Sequence, residues 1–156
     1  MGALHHDFFG LKADGSFVIG EYDLLEEISS DLVQACGGRG VILKDGQPYD
    51  ISYTEGGDDL GVNVHPRTAV GFRENGDLLI VVADGRQSGY SVGMNLVDLA
   101  QVFKSLGAFS ALNLDGGGSS TFVTKNADGS LSVKNKTSNS GGALRAVGDC
   151  LILTAA

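Results

Sequence analysis

The chain lacks tryptophan, has only two prolines and two cysteines, and contains no apolar run of the length that spans a bilayer. A membrane-spanning helix needs about 20 consecutive apolar residues, so none is predicted. Cys36 and Cys150 are far apart and do not fix a redox compartment, and unpaired small hydrophobic residues are favoured over a disulfide. Met1–Gly10 has no basic region of the kind that begins a signal peptide, so none is predicted.

Positive charge is scarce, because 11 lysines and arginines accompany 19 aspartates and glutamates, which gives a net charge of -8. This balance excludes nucleic acid as a partner of the whole surface, although a small anionic group can still bind in a local basic pocket. Glycine is abundant, at 24 of 156 residues, which predicts many tight turns and a strand-rich fold. The length suits one domain, 1–156, and 42% hydrophobic residues suffice for a core.

The most informative stretch is Ala111–Val123, in which a strand-like segment ends at Asp115 and is followed by glycines and hydroxyl residues. These residues are Gly116, Gly117, Gly118, Ser119, Ser120 and Thr121. Consecutive glycines bring bare backbone close to a ligand, and their amides can form an anion-binding nest. A flexible linker is the alternative, but linkers are rarely enclosed by two apolar strands. No lysine follows the glycines and G-x-S-x-G is absent, which excludes a P-loop and a nucleophile elbow.

A hairpin is predicted upstream, because Arg67–Arg73 and Leu78–Asp84 flank an Asn-Gly dipeptide at 75–76. With a two-residue loop, the first residue of this hairpin, Arg67, lies opposite the last, Asp84. The two side chains are then close enough for an ion pair.

The second strand of this hairpin begins a predicted strand–helix–strand unit. Its apolar run Leu79–Ala83 predicts a central strand that is covered on both faces. Asn95 caps the helix that follows, Gly107 ends it, and Ala111–Asp115 forms the next strand. The two strands are expected to be parallel, so that the aspartate at the end of each emerges at one edge of the sheet. Open α/β sheets bind their ligands at that edge.

The remaining segments predict a second helix and further hairpins. Asp23 with Glu26 forms a capping box for a helix that ends at Gly37. Asp-Gly dipeptides predict three hairpins, with turns at residues 14–15, 45–46 and 128–129. A last strand is predicted from Arg145 to Leu153.

Two groups of residues suggest metal sites, and a solvated surface is favoured for both. His5, His6 and Asp7 lie near the N-terminus, where a tag remnant or a solvated end is the favoured interpretation. Two aspartates at 58–59 belong to the acidic, glycine-rich stretch Thr54–Asn63, which is expected to be a mobile surface loop rather than a calcium site. No metal site and no cofactor is predicted.

The predicted fold is α+β, a single domain with a mixed, strand-rich sheet, two helices and a βαβ unit. Its active-site cleft is expected at the carboxyl edge of the strands. The side chains gathered there are Arg67, Asp84, Arg86, Asp115, the residues 116–121 named above and, from its place at a strand start, Arg145. Two carboxylates suit proton transfer or nucleophilic attack at a sugar carbon. Guanidinium groups and a backbone nest suit a phosphate oxygen, so the set predicts a site for a sugar joined through phosphate.

Each residue also has a plain structural interpretation. Asp84 before Gly85 is typical of a turn, and Arg67 with Asp84 is typical of a structural ion pair. Asp115 before a glycine is typical of an Asx turn that only shapes the loop. Their placement at one predicted edge favours a functional site. His65 lies near this edge and could act as an acid, but a structural role is favoured.

Four segments resemble the phosphodiester glycosidase family, namely His65–Phe72, Leu78–Gln87, Gly93–Val123 and Arg145–Leu153. A weaker match, Cys36–Gln47, resembles a Gly-Gly turn and hairpin of that family. The likeness covers most of the chain from about residue 36 onward, and the run N-L-D-G-G-G-S with D-G-R upstream is specific.

The resemblance implies cleavage between an α-linked sugar, often an N-acetylhexosamine, and a phosphate. By residue match it gives a site role to Arg67, Asp84, Arg86, Asn113, Asp115, Gly116–Gly118, Ser119, Ser120 and Arg145. We therefore assign catalysis to Asp84, Asp115 and Arg67. Substrate or phosphate binding is assigned to the others, together with Thr121 and His65.

The start of the chain departs from the family pattern, which has an earlier strand with an Asn-Gly-x-Phe-Phe signature. His5–Gly10 is a poor substitute, so the chain is interpreted as a short form or as one whose missing wall another copy supplies. The alternative function is a non-catalytic module that binds a phosphorylated glycan. The resemblance implies a bacterial or phage protein with an extracytoplasmic or virion-associated location, no nucleic-acid partner and no membrane insertion.

Overall fold

The computed structural model describes residues 7–49 and 61–154. His5, His6, the aspartates at 58–59 and most of the loop Thr54–Asn63 lie outside the described residues. The strands are β1 (Asp7–Lys12), β2 (Phe17–Gly20), β3 (Leu32–Gly38), β4 (Val41–Lys44), β5 (Gln47–Pro48), β6 (Arg67–Phe72), β7 (Leu78–Ala83), β8 (Ser110–Asn113), β9 (Val123–Lys125) and β10 (Leu131–Val133). The helices are α1 (Tyr22–Ile28) and α2 (Leu96–Ser105), with short 3₁₀ turns at Ser29–Asp31, Gly117–Ser119 and Ser140–Gly142.

A five-stranded sheet in the order β5-β4-β8-β6-β7 forms the centre of the molecule. Every described pair of neighbours is antiparallel, so the sheet is not mixed as predicted. Strands β7 and β8 are both antiparallel to β6, which lies between them, and therefore run parallel to each other. The predicted strand–helix–strand unit is thus present with one strand inserted, and β7 and β8 end at the same edge of the sheet.

The central sheet is covered on both faces by apolar residues. On one face, Leu99 and Phe103 of α2 pack against Ala69 and Ala111. On the other face, a three-stranded sheet in the order β2-β1-β3 packs through Phe9 against residues such as Leu112. These layers confirm the α+β class.

Helix α2 begins and ends where the sequence predicts. The Asn95 side chain accepts a 2.7 Å hydrogen bond from the amide of Asp98, which satisfies one of the unpaired donors of the first turn. Gly107 adopts φ +74, the left-handed conformation that closes a helix. The Lys104 carbonyl accepts the Gly107 amide at 3.0 Å.

The predicted helix from Asp23 to Gly37 is wrong beyond Ile28. The observed helix is α1, and its N-cap residue, Glu21, makes no side-chain capping bond. Residues Leu32–Gly38 instead form β3, which pairs with β1. Gly37, the predicted helix end, lies within β3 and pairs with Phe8. A Cβ on the next residue, Gly38, would come 2.6 Å from the Leu112 side chain, so that glycine permits close packing of the two sheets. Pairing with a distant strand has overridden the local helical spacing.

The β6–β7 hairpin is present, but its register differs from the prediction by one residue. Three residues, Glu74–Gly76, form the loop, because the Arg73 amide bonds the Asp77 carbonyl at 2.9 Å and Gly76 has φ +88. Arg67 consequently pairs with Ala83 instead of Asp84. Since side chains alternate between the faces of a sheet, this offset removes Asp84 from the face of Arg67, and the predicted ion pair is not formed.

Two predictions about the sheet edge are also wrong. In the described chain, β7 is the outermost strand of its sheet, not a central one, and its residues are half-buried. Arg145–Leu153 is exposed and has no regular secondary structure, so the predicted last strand is not formed. Strand β7 therefore keeps an unpaired edge among the described residues.

The three hairpin turns at Asp-Gly dipeptides are confirmed by the pairs β1–β2, β4–β5 and β9–β10. Strand β1 begins earlier than predicted, and Asp7 is not a solvated end. Its buried carboxylate accepts the amides of Gly40 and Val41 at 2.7 and 3.1 Å. Cys36 and Cys150 are free thiols, Cys36 half-buried and Cys150 exposed. Of the helices described here, none has the length and apolarity needed to cross a bilayer.

Candidate active site

Asp84 follows β7 directly and its carboxylate joins two loops. It accepts hydrogen bonds from the Tyr90 hydroxyl at 2.9 Å and from the Asn135 side-chain amide at 3.0 Å. The backbone amide of Lys136 lies 3.0 and 3.1 Å from its two oxygens. Burial raises the pKa of Asp84, but these hydrogen bonds and the Lys136 charge outweigh burial and lower its pKa from the ordinary value. Asp84 is thus an ionised anchor for both loops.

The dipeptide His65-Pro66 lies beside this strand end, against three glycines. A Cβ on Gly85 would come 2.6 Å from the Pro66 nitrogen, and one on Gly116 would come 2.7 Å from the Pro66 carbonyl oxygen. A Cβ on Gly93, which has φ +102, would clash with the His65 backbone. His65 also exchanges backbone hydrogen bonds with Met94 at 2.9 and 3.1 Å. The backbone of this dipeptide is therefore fixed by elements from three parts of the chain.

Most backbone amides of the glycine loop that follows β8 are already hydrogen-bonded. The Gly117 amide donates to the Pro66 carbonyl at 2.9 Å, and the amides of Ser119 and Ser120 donate to Gly116 and Gly117 in a 3₁₀ turn. The Gly116 amide donates to the adjacent Asp115 carboxylate at 2.9 Å. Four of the five backbone amides from Gly116 to Ser120 thus donate to acceptors within the protein. The anion-binding nest expected from the sequence is not formed.

Arg86 extends over the glycine loop. It is a non-glycine residue with φ +57, and its Nη1 would lie 3.0 Å from a Cβ on Gly117. Its Nη2 and Nε lie 3.0 and 3.3 Å from Nδ1 of His65. In the described ranges, 7–49 and 61–154, its guanidinium forms no ion pair with a carboxylate. The guanidinium of Arg86 therefore lies between the glycine loop and the His65 ring.

Three residues of the loop Asn135–Gly142 contact the site and were not singled out from the sequence. Asn135 Nδ2 donates to Asp84 and also to the Ser120 carbonyl, both at 3.0 Å. Lys136 places Nζ 4.6 Å from the centre of the Tyr90 ring, a cation–π contact. Asn139 Nδ2 donates to the Gly118 carbonyl at 2.9 Å. Asparagine in a Ser/Gly-rich loop was the only available signal, and it is equally typical of a plain turn.

The two other residues assigned to catalysis occupy contrasting environments. Arg67 is only 2% exposed, and its Nε and Nη2 donate to the carbonyls of Met94 and Asn63 at 2.8 and 3.0 Å. Asp115 is exposed, and its carboxylate bonds the amide of Gly116. Arg67 therefore lies inside the protein at the start of β6, whereas Asp115 presents a carboxylate at the surface.

The remaining predicted residues divide between the site and its surroundings. Asn113 and Ser120 are buried, and Asn113 Oδ1 and Ser120 Oγ have no hydrogen-bond partner in the described structure. Ser119 and Thr121 are half-buried in the glycine loop. Arg145 is exposed, and in the described ranges no hydrogen bond joins it to these residues. The structure therefore gathers the ends of β7 and β8, His65, Arg67, Arg86 and the glycine loop, whereas Arg145 is not joined to them and the Asn113 side chain bonds the Arg39 carbonyl.

A cavity of about 310 Å³ lies elsewhere, between β2, the start of α1, β4 and Tyr49. None of the predicted site residues lines it. Residues 7–49 and 61–154 contain no cluster of three or more histidine, cysteine or acidic side chains that could hold a metal ion. We therefore place the candidate site at the sheet edge, where chemically active side chains converge, and not at this cavity.

Comparison with known proteins extends over nearly the whole chain. A family described as "Phosphodiester glycosidase" matches residues 2–154. The N-acetylglucosamine-1-phosphodiester alpha-N-acetylglucosaminidase of Mus musculus is 33% identical over 135 residues, 78% of this chain. An SPbeta prophage-derived protein of Bacillus subtilis, YomE, is 39% identical over 100 residues, 60% of this chain. This chain spans 26% of the mouse protein and 15% of the prophage-derived one.

A solved structure gives the same result for the fold. The catalytic domain of the zebrafish enzyme of the same name, auto-inhibited by its pro-peptide, matches with a TM-score of 0.73 and 29% identity. The match covers 92% of this chain and 50% of the zebrafish chain.

Proposed function

Because this chain belongs to the phosphodiester glycosidase family, we propose that it hydrolyses the bond between an α-linked sugar and phosphate in a sugar-1-phosphate diester. The proposed sugar is an N-acetylhexosamine, as the name of the mouse relative indicates. The likeness to a prophage-derived protein supports a bacterial or phage origin. For such an origin, the proposed substrate is a sugar-1-phosphate diester of a bacterium or its host. The chain spans about a quarter of the mouse protein's length.

The observation that supports this proposal most is that Arg86 and Asp115 lie at the same loop. Arg86 lies over Gly117, and Asp115 begins the same loop with an exposed carboxylate. A guanidinium is a strong partner for a phosphate oxygen, and a carboxylate can assist attack at an anomeric carbon. A substrate that joins sugar to phosphate presents both groups within the span of such a loop.

In the proposed reaction, the oxygen of water forms a bond to the anomeric carbon while the bond from that carbon to the phosphate oxygen breaks. The leaving phosphate keeps the electron pair, and the Asp115 carboxylate accepts the proton that the attacking water loses. Negative charge grows on the phosphate as it leaves, so the hydrogen bonds of Arg86 strengthen in the transition state. Phosphate is a better leaving group than an alcohol, which reduces the need for an acid.

The other site residues have supporting roles in this proposal. Asp84 holds the loops that carry Arg86 and Lys136, and the buried Arg67 fixes the start of β6 against Met94 and Asn63. Of the residues assigned to binding, Gly116–Gly118, Ser119, Ser120 and Thr121 form the loop beneath Arg86, and the buried Asn113 ends the strand before it. Arg145 follows this loop in the chain and is proposed to meet the distal part of the substrate.

The direct test is incubation of the full chain with UDP-N-acetylglucosamine or another N-acetylglucosamine-1-phosphate diester, with release of free sugar as the readout. Asp115→Asn is expected to lower turnover by about 10²–10⁴-fold, the usual contribution of a positioned acid or base. A matched control is Asp31→Asn, which removes an exposed carboxylate from the turn before β3. Unchanged turnover in Asp115→Asn contradicts the role of Asp115.

The alternative function makes a different prediction in the same assay. A module that only binds a phosphorylated glycan retains affinity for N-acetylglucosamine-1-phosphate but releases no sugar from the diester. Measured binding without turnover would establish this alternative, and measurable turnover would end it.

A further inference from the structure

The contact between Arg86 and His65 defines the protonation state of the histidine. Arg86 presents two N–H groups, at Nη2 and Nε, to the same ring nitrogen, Nδ1 of His65, at 3.0 and 3.3 Å. A guanidinium has only donors, so Nδ1 must offer a lone pair and carry no proton. The single ring proton then lies on Nε2, and the imidazole is neutral.

The backbone of Arg86 is held in an unusual conformation. Its φ of +57 is the left-handed conformation that a residue with a Cβ rarely adopts. The Arg86 amide bonds the Val92 carbonyl at 3.2 Å, and the Gln87 amide bonds the Ser91 carbonyl at 2.9 Å. These bonds fix the backbone and project the side chain toward the glycine loop. Nothing on the backbone fixes the guanidinium itself, which has several rotatable bonds.

His65 is fixed far more tightly than Arg86. Gly85 and Gly93 pack against its backbone so closely that a Cβ on either would overlap it, and Met94 bonds it on both sides. The imidazole turns about two side-chain bonds only, fewer than the arginine side chain, so its acceptor nitrogen has a narrower range of positions. The guanidinium therefore rests between a fixed imidazole and the surface of Gly117, where a Cβ would come within 3.0 Å of its Nη1.

We propose that His65 is a positioning residue, a neutral acceptor that holds the Arg86 guanidinium over the glycine loop as the receptor for the substrate phosphate. This inference rests on the proposed function for the identity of the phosphate. The sequence assigned His65 to substrate or phosphate binding and favoured a structural role over that of an acid. His65 acts through Arg86, and its contribution disappears when Arg86 is absent.

Two substitutions of His65 separate positioning from direct contact. In His65→Asn, the amide oxygen takes the place of Nδ1 and still accepts from Arg86, but nothing replaces Nε2. In His65→Gln, the amide reaches the place of Nε2, and the acceptor for Arg86 is lost. If His65 is a positioning residue, the dissociation constant of His65→Asn for phosphate should stay within about threefold of the wild-type value. That of His65→Gln should rise about tenfold. Direct contact through Nε2 predicts the opposite order.

A double-mutant cycle with the full chain completes the test, with inorganic phosphate and N-acetylglucosamine-1-phosphate as probes in calorimetric titrations. Arg86→Ala is expected to weaken binding about tenfold, and adding His65→Gln to it should change nothing further. Arg73→Ala, which removes a surface arginine paired with Asp77, is the control for loss of one positive charge. Independent, multiplying effects of His65→Gln and Arg86→Ala overturn the proposal.

The tautomer gives a second measurement that needs no variant. A long-range ¹H–¹⁵N spectrum of the wild-type chain should show Nδ1 of His65 without a proton and Nε2 with one. A proton on Nδ1 overturns the proposal. If the chain releases no sugar but His65→Gln has no effect in the absence of Arg86, the proposed hydrolysis is rejected and the role of His65 is supported. If the chain does release sugar but the two substitutions act independently, the hydrolysis is supported and the role of His65 is rejected.

Discussion

Asn135 and Asp84 are joined by a 3.0 Å hydrogen bond between the Asn135 Nδ2 and the Asp84 Oδ1, although they lie 51 residues apart in the chain. The same nitrogen donates to the carbonyl of Ser120 at 3.0 Å. A single side-chain amide therefore connects the end of β7 with the end of the glycine loop. Asp84 is in this way a structural centre of the site, whereas Asp115 is its exposed carboxylate.

Asp84→Asn should lower the free energy of unfolding by about 1–3 kcal/mol, because an amide replaces an acceptor to which three groups donate. Urea denaturation followed by circular dichroism measures the change. Asp115→Asn provides the comparison, since its exposed carboxylate bonds only the adjacent amide, and it should change stability by less than about 0.5 kcal/mol. Equal stability of the two variants would contradict the structural role of Asp84.

The loops held by Asp84 should loosen in acid. The folded-state pKa of Asp84 is lowered, so its contribution to stability is complete above the unfolded pKa, near 3.8, and is lost as the pH falls through the lower folded value. Hydrogen exchange at the Lys136 amide, which donates to this carboxylate, should therefore rise, relative to the intrinsic rate, as the pH falls from 5 to 2. In Asp84→Asn the corresponding rise should be absent. A wild-type amide that stays protected throughout would refute this linkage.

Gly85→Ala should destabilise the protein by about 1–3 kcal/mol, because the new Cβ would lie 2.6 Å from the Pro66 nitrogen and 2.8 Å from the Gly93 Cα. Both neighbours are backbone atoms, which cannot rotate away. Gly148→Ala is the matched control, since a Cβ there meets nothing within 4 Å. Thermal denaturation of the two variants measures the difference, and similar midpoints would show that the His65-Pro66 packing tolerates a Cβ.

Gly118→Ala should also lower the stability of the protein, and Asn139→Ala should partly reverse this loss. Its Cβ would overlap the Asn139 side chain, which bonds the Gly118 carbonyl. Asn139→Ala removes that bond and also the clash. We therefore expect the double variant to be more stable than the sum of the two single changes predicts, with a coupling of about 0.5–3 kcal/mol in urea denaturation. Additive effects would mean that the clash is avoided by a shift of the loop.

The features that depend on nearby residues could be predicted from the sequence. The Asn95 cap, the Gly107 ending of α2 and the Asp-Gly turns involve partners within a few positions. The common edge of β7 and β8 was also predicted, because it follows from the direction of strands joined by a helix. Asp84 and Asp115, which follow these two strands, could be placed near that edge for the same reason.

The features that depend on distant residues could not be predicted. Leu32–Gly38 has helical spacing, and only its pairing with β1 makes it a strand. The register of Arg67 depends on whether two or three residues form the hairpin loop, and the Asn-Gly signal does not distinguish these cases. The closed glycine loop depends on Pro66, which lies far upstream and accepts the Gly117 amide. No pattern within the loop itself carries that information.

The internal hydrogen bonds of the glycine loop have a consequence for how an anion is held. Because most of its amides are already hydrogen-bonded, a phosphate bound as proposed relies on the formal charge of Arg86, whose side chain is exposed. Such attraction is screened by dissolved ions, with a Debye length of about 8 Å at physiological ionic strength. The affinity for an anionic ligand should therefore weaken steeply as sodium chloride is added, to a greater degree than in proteins that enclose phosphate in a cradle of backbone amides.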